Sequence, residues 1–233
     1  MKTKVHTIYK TKDGIRVPSV TTILGILDKP ALVKWAWQCG IDGEDYRKVR
    51  DKAADIGTIA HYLIECYLKK EAPDLRDYSQ DNIEKAQISF NAFLDFEKGH
   101  HLKPIVIEQT MVSNKYKFGG TIDLIAEMDG VIQLIDFKTS KGIYPEMIIQ
   151  LSAYEKLVNE NGIKVKENSG NILNINKETG EFHHYHYPDL SQEWEMFQHL
   201  VPVYSLWKDI IGRDKQRWIE QQEAKQKDEN MPF

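Results

Sequence analysis

The sequence predicts a mixed α/β domain with a central, partly antiparallel sheet. Hydrophobic patterns run helical, extended, helical, extended and helical again along the chain, an order that places helices around one sheet. The 233 residues are 41% hydrophobic and 28% charged, as in a chain that buries a core, and neither disorder nor a membrane class fits. No internal repeat and no long polar linker divides them. One domain is expected over residues 1–227, with a helical N-terminal part at 18–99, a core at 57–162 and a C-terminal hairpin and helix at 171–227, followed by an acidic tail at 228–233.

Thr7 to Val17 reads as a hairpin turning at Asp13-Gly14. Ser19, Thr21 and Thr22 offer N-cap oxygens to a short helix through Ile23, Leu24 and Leu27, and Pro30 restarts a helix that runs to Gly40. Trp35 and Trp37, two apart, cannot share its face, so one is expected inward and one exposed. Ile56, Ile59, Ala60, Leu63, Ile64, Tyr67 and Leu68 then recur at helical spacing. A further helix, Asp81 to Lys98, ends at Gly99.

The texture changes at KPIVIEQTMVS, KYKFGGTIDLIAEM and VIQLIDFKTS, three alternating, β-branched runs with Asp129-Gly130 between the last two. Tyr144 to Asn161 is helical and closes at Gly162. NILNINKETGEFHHYHY is a second hairpin, whose histidines at 183, 184 and 186 alternate as a strand and lack the spacing of a helical metal pair. Ser191 to about Lys227 is helix again.

The chemistry falls on the hairpin around Asp129-Gly130. A two-residue turn there sets Met128 against Val131, and counting outward sets Asp123 against Asp136. Two carboxylates facing each other across a strand pair repel, which a hard divalent cation such as Mg²⁺ or Mn²⁺ offsets. The same count places Ile122, Leu124, Ile135 and Phe137 in an apolar row on the other face. Lys138 shares a face with both aspartates and can reach a phosphate or a water. His61, on the helix carrying GTIAH, can supply a third ligand; Gly57 one turn earlier lets that helix approach the sheet, and Glu65 follows one turn later. Glu65 and Glu108 are further candidate ligands. An isolated D-x-K is more often a surface ion pair, and the second aspartate across the strands is what argues for a site.

GTIAH with His61, GGTIDLI with Asp123, LIDFKTS with Asp136 and Lys138, and QLSAY with Gln150 and Tyr154 together resemble the PD-(D/E)XK nuclease superfamily in its RecB-like exonuclease branch. PSVTTIL near Pro18 is similar to the opening of phage and mitochondrial genome-maintenance exonucleases of that branch. The resemblance implies a restriction-endonuclease-like core with an N-terminal helical region. It further implies that His61, Asp123, Asp136 and the Phe137 carbonyl bind Mg²⁺ or Mn²⁺, that Lys138 positions the attacking water, and that Gln150 and Tyr154 steady the catalytic site and the nucleic-acid backbone. Asp136 stands where many members carry Glu. The expected activity is metal-dependent exonucleolytic hydrolysis of DNA in phage or bacterial recombination, repair or replication. An endonuclease with the same site, or a catalytically silent DNA- or protein-binding module, are the alternatives.

Two cysteines are too few for a four-thiolate zinc or iron–sulfur site, and Cys39 and Cys66 read as packed thiols. A net charge of −4 provides no global field for nucleic acid, so binding must rest on local patches. Arg47, Lys48, Arg50 and Lys52 around Tyr46, and Lys115 and Lys117 around Tyr116, are the candidate DNA contacts. Lys227 to Phe233, which combines acid with a terminal Pro-Phe, resembles the acidic tip of bacterial single-stranded-DNA-binding proteins, and Met231, Pro232 and Phe233 are candidate contacts to a protein that recognises such tails. The start of the chain lacks the apolar stretch of a signal peptide and no apolar run is long enough to span a bilayer, so the expected location is cytoplasmic.

Overall fold

A computed structural model describes residues 7–177 and 179–229, with side chains in the last helix placed as far as Gln222. Strands β1 (Tyr9–Lys10) and β2 (Arg16–Val17) form the opening hairpin. Helix α1 (Val20–Leu24) begins where the Thr22 N–H donates to Ser19 Oγ at 3.0 Å, and α2 (Pro30–Ile41) begins on its proline. Helix α3 (Tyr46–Lys69) is capped by Asp45, and α4 (Gln80–Lys98) by Ser79. Gly99 ends α4 in the right-handed conformation, φ −86°, so its helix stop does not use the left-handed freedom of glycine.

Strands β3 (Leu102–Ser113), β4 (Phe118–Met128) and β5 (Val131–Lys138) follow, then α5 (Pro145–Glu160), β6 (Gly170–Ile175), β7 (Phe182–Tyr187) and α6 (Ser191–Glu229). The second strand starts later than its sequence pattern suggests: Lys115 to Lys117 form the turn, and Lys117 has a φ of 60°. The five strands lie in sequence order in one sheet. All neighbours are antiparallel except β5 and β6, which run parallel and are joined through α5. On β7, His184 Nε2 and His186 Nδ1 both reach Asn171 Oδ1, at 2.9 and 3.1 Å. This strand is a structural edge, as its alternation predicts.

Helices cover both faces. Val20, Ile23, Leu151, Leu157 and Phe197 pack on Phe118, Ile125, Leu134 and Ile172 on one side. Ile64 and Phe93 pack on Leu124, Ala126, Ile135, Phe137 and Leu173 on the other. Each such fully buried side chain contributes about 1.5–3 kcal/mol of apolar burial. Two glycines fix how closely the layers meet at the start of β4. A Cβ on Gly119 would enter the Tyr9 ring, and one on Gly120 would lie 2.5 Å from Tyr154 Cε1. The opening hairpin and α5 are therefore pressed onto opposite sides of the same strand.

The β4–β5 register runs from Met128 opposite Val131 to Leu124 opposite Ile135, around Asp129 and Gly130 at φ 51° and 85°. That is the expected count, but the ladder stops there and the strands part before Asp123 and Asp136. The expected apolar row is also broken. Leu124, Ile135 and Phe137 pack beneath α3 and α4, whereas Ile122 packs on the α5 side.

Candidate metal centre

The break in the row has a local cause. Between β3 and β4, Ile107 pairs with Leu124 and Gln109 with Ile122, but Glu108 and Asp123, which face each other between these pairs, do not join the ladder. Glu108 has a φ of 47°, a left-handed conformation rare for a non-glycine residue within a strand. Both strands change face across this point: Val106 and Met111 both pack on the α5 side despite their odd separation. Matching irregularities thus free two opposed carboxylates from the sheet's alternation. The left-handed residue costs about 1–3 kcal/mol, strain that persists only where the surroundings impose it.

Helix α3 brings the candidate nitrogen ligand. A Cβ on Gly57 would lie 2.7 Å from Thr139 Oγ1, so the absence of a side chain there lets α3 lean on the end of β5, as the sequence predicts. One turn later, His61 Nδ1 is 3.8 Å from Asp123 Oδ2, and its ring stands edge-on to Phe137 at 5.9 Å. Ligand atoms of His61, Glu108 and Asp123 all lie within 4.8 Å of one another. A single cation with bonds of about 2.0–2.6 Å can touch all three. Glu65, the other candidate on α3, is instead held by Lys69 at 2.6 Å. That contact holds the Lys69 ammonium above its usual range, with Glu71 and Glu108 adding to it.

At the fork between β4 and β5, Asp123 Oδ2 accepts the Phe137 N–H at 2.8 Å. A side chain thus replaces the backbone partner that the parting strands withdraw. It is the Phe137 amide that reaches Asp123. Asp136, 1% exposed, pairs with the Lys138 ammonium, and its Oδ1 lacks a hydrogen-bond donor among the described residues. Burial pushes the Asp136 carboxyl up to about 6, against the pull of Lys138 and with Asp123 adding to the rise. Burial works against the Lys138 ammonium, yet Asp136 and Asp123 keep it above its usual range. A buried carboxylate with one oxygen unclaimed beside three clustered ligands fits a place for a cation.

Gln150 and Tyr154 meet on α5, where the amide donates to the phenol oxygen at 2.8 Å. Burial, then the charges of Asp136 and Asp123, keep Tyr154 protonated well above its ordinary range. A cleft of about 370 Å³ opens beside the cluster, lined by Ala53, Gly57, His61, Lys138, Ser140 and Lys177. Lys177, on the turn after β6, donates to the Ala53 carbonyl at 2.8 Å and so ties that turn to α3. Nothing in its local sequence singles it out, because only the tertiary fold carries it to the cleft.

The candidate DNA contacts divide. Arg47, Lys48, Arg50 and Lys52 lie on the first turns of α3, which leads to the cleft. Arg47 pairs with Asp45 at 3.6 Å, Arg50 with Asp51 at 2.7 Å and Lys52 with Asp81 at 2.7 Å. Trp37 is exposed on the preceding helix, while Trp35 meets Tyr46 edge-on. Lys115 and Lys117 occupy the far turn of the β3–β4 hairpin, roughly 20 Å along the strand from Asp123. Their nearness in sequence to the GGTID segment does not bring them to the cluster. Met231, Pro232 and Phe233 lie outside the described residues.

No family model and no curated protein matches the chain. Among solved structures it is similar to one from Eubacterium rectale named "Putative exonuclease", with a TM-score of 0.46 and 14% identity over 64% of this chain and 66% of that one. The chain therefore spans just under two thirds of that protein. It is also similar to SSO0001, with a TM-score of 0.34 and 19% identity over 66% of this chain and 74% of that one. No described helix is long and apolar enough to cross a membrane.

Proposed function

We propose that the chain is a metal-dependent DNA nuclease of the RecB-like PD-(D/E)XK kind, removing nucleotides from strand ends in phage or bacterial recombination, repair or replication. The observation supporting it most directly is the meeting of His61, Glu108 and Asp123 within 4.8 Å beside the buried Asp136–Lys138 pair. His61, Glu108, Asp123 and Asp136, with the Phe137 carbonyl, would hold Mg²⁺ or Mn²⁺. Bound there, the cation lowers the pKa of a water and offsets charge in the phosphoryl transition state.

The chain's own groups do the remaining work. Lys138, kept charged by Asp136, orients the attacking water and adds positive charge beside the phosphate. Gln150 fixes the Tyr154 hydroxyl, and the neutral phenol forms a floor that adds no charge beneath the two aspartates. Lys177 and the basic first turns of α3 flank the cleft and suit a phosphate backbone drawn through it.

The test is a time course on end-labelled linear and closed circular DNA with Mg²⁺, Mn²⁺ or chelator. Linear DNA should shorten progressively while circles persist, chelator should stop the reaction, and Lys138→Ala should slow it by roughly 100-fold or more. Cutting of circles would assign an endonuclease. Binding without cleavage under every cation would leave a silent binding module.

A further inference from the structure

The cleft beside the cluster carries the opposite sign from the chain around it. The chain has a net charge of −4, yet the cleft is lined by the ammonium groups of Lys138 and Lys177 and the hydroxyls of Thr58, Thr139 and Ser140, and none of the described residues lining it is acidic. A recess of one sign concentrates ligands of the other, and hydroxyls beside ammonium groups suit an anion with several acceptor oxygens.

The two lysines occupy different parts of the cleft. Lys138 is paired with Asp136 beside the candidate metal centre. Strand β6 runs parallel to β5 with Asn174 beside Lys138, and Lys177 follows three residues later, up to roughly 10 Å further along. The Lys177 ammonium donates to the Ala53 carbonyl at 2.8 Å, and Ala53 lies eight residues before His61, about 12 Å along α3. Measured along the strand or along the helix, Lys177 stands roughly 10–12 Å from the centre. A lysine tied to Ala53 does not reach a phosphate held there.

The tie itself suits a binding role. A backbone carbonyl has no net charge, so this hydrogen bond fixes the place of the ammonium without cancelling its charge. Ordering a long, flexible side chain costs rotamer entropy that one such bond does little more than offset. A positive charge already held at a cleft wall, by contrast, spares a phosphate ligand that cost when it binds.

We propose that Lys177 anchors a second phosphate of the bound strand, one that is not cleaved, while the metal centre and Lys138 take the phosphate that is. This role rests on the nuclease reading and deepens it by naming a substrate class. The cleft favours a strand with at least two phosphates over an isolated phosphodiester, and Lys177 contributes to binding the strand and not to breaking the bond.

Initial rates of cleavage of a single-stranded oligonucleotide with Mn²⁺ test it, with one phosphate at a time replaced by a neutral methylphosphonate. In the parent, one replacement away from the cleavage point should raise KM about tenfold, as loss of a charged hydrogen bond does. Lys177→Met should raise KM for the unmodified strand by a similar factor and remove the cost of that one replacement while keeping the cost of every other. It should also lower the slope of log KM against log salt by about 0.7, the share of one phosphate contact on a single strand. Lys177→Arg keeps the charge and should stay within about threefold of the parent. Circular dichroism checks that each variant is folded. A turn merely loosened from α3 would weaken all strands alike and leave the pattern of replacement costs intact, which would overturn the proposal. A Lys177→Met enzyme with the KM and salt slope of a cleaving parent would overturn it too and leave the nuclease reading standing, whereas a parent that cleaves no strand under any cation would remove both.

Discussion

Glu108 concentrates the argument at the scale of one residue. Its sequence setting, IVIEQT in a β-branched run, marks it as one more strand position, and the pattern alone ranks it below Asp123 as a ligand. Only the φ of 47° and the omitted pair with Asp123 lift it from the ladder toward His61. If this strain serves ligand placement, function and stability separate on substitution. Glu108→Gly removes a carboxylate but accepts the left-handed conformation, so relief of about 1–2 kcal/mol offsets the flexibility cost of glycine. The variant should melt within about 1 kcal/mol of the parent while binding Mn²⁺ roughly tenfold more weakly, with calorimetry giving both quantities. A variant that binds the ion unchanged would remove Glu108 from the site.

At the scale of elements, the approach of α3 to β5 depends on Gly57. An alanine there gains about 1 kcal/mol of helix propensity but collides with Thr139 Oγ1, 2.7 Å from the added carbon. Gly57→Ala alone should be destabilising or neutral, whereas Gly57→Ala with Thr139→Ala should exceed Thr139→Ala alone by about 1 kcal/mol in urea denaturation. An additive pair would mean that the two elements do not touch. This level was the most legible in sequence. Asp129-Gly130 set the register as far as Leu124 and Ile135, and the GTIAH spacing placed His61 beside Asp123. The count failed where the strands part, because period-two alternation cannot register an irregularity present in both strands at once. Lys115 and Lys117 lie apart from the cluster for a related reason: separation along β4 is distance in space.

Across the whole molecule, the cluster joins α3, β3, β4 and β5, so its charge state couples to the stability of the fold. The Asp136 carboxyl is raised to about 6, and the folded chain holds this proton longer than the unfolded one. Its contribution is therefore fully present below the unfolded value near 4 and is lost as pH rises through about 6. A divalent cation held at the proposed centre would act in the opposite direction, since it would bind the ionised carboxylates and cross-link the elements that carry them. Mn²⁺ should raise the melting temperature by several degrees at about pH 7.5 and by much less at about pH 5, as read by scanning fluorimetry against chelator. Equal shifts at both pH values would detach Asp136 from the cation. The single parallel pairing in the sheet adds a matter of timing. Strand β5 receives its partner β6 only after the intervening helix, so on a ribosome the strand carrying Asp136 and Lys138 waits as an open margin until Ile175 has emerged. A nascent chain halted before that point holds every proposed ligand yet lacks the neighbour that fixes two of them, and the proposed centre would be completed late in biosynthesis.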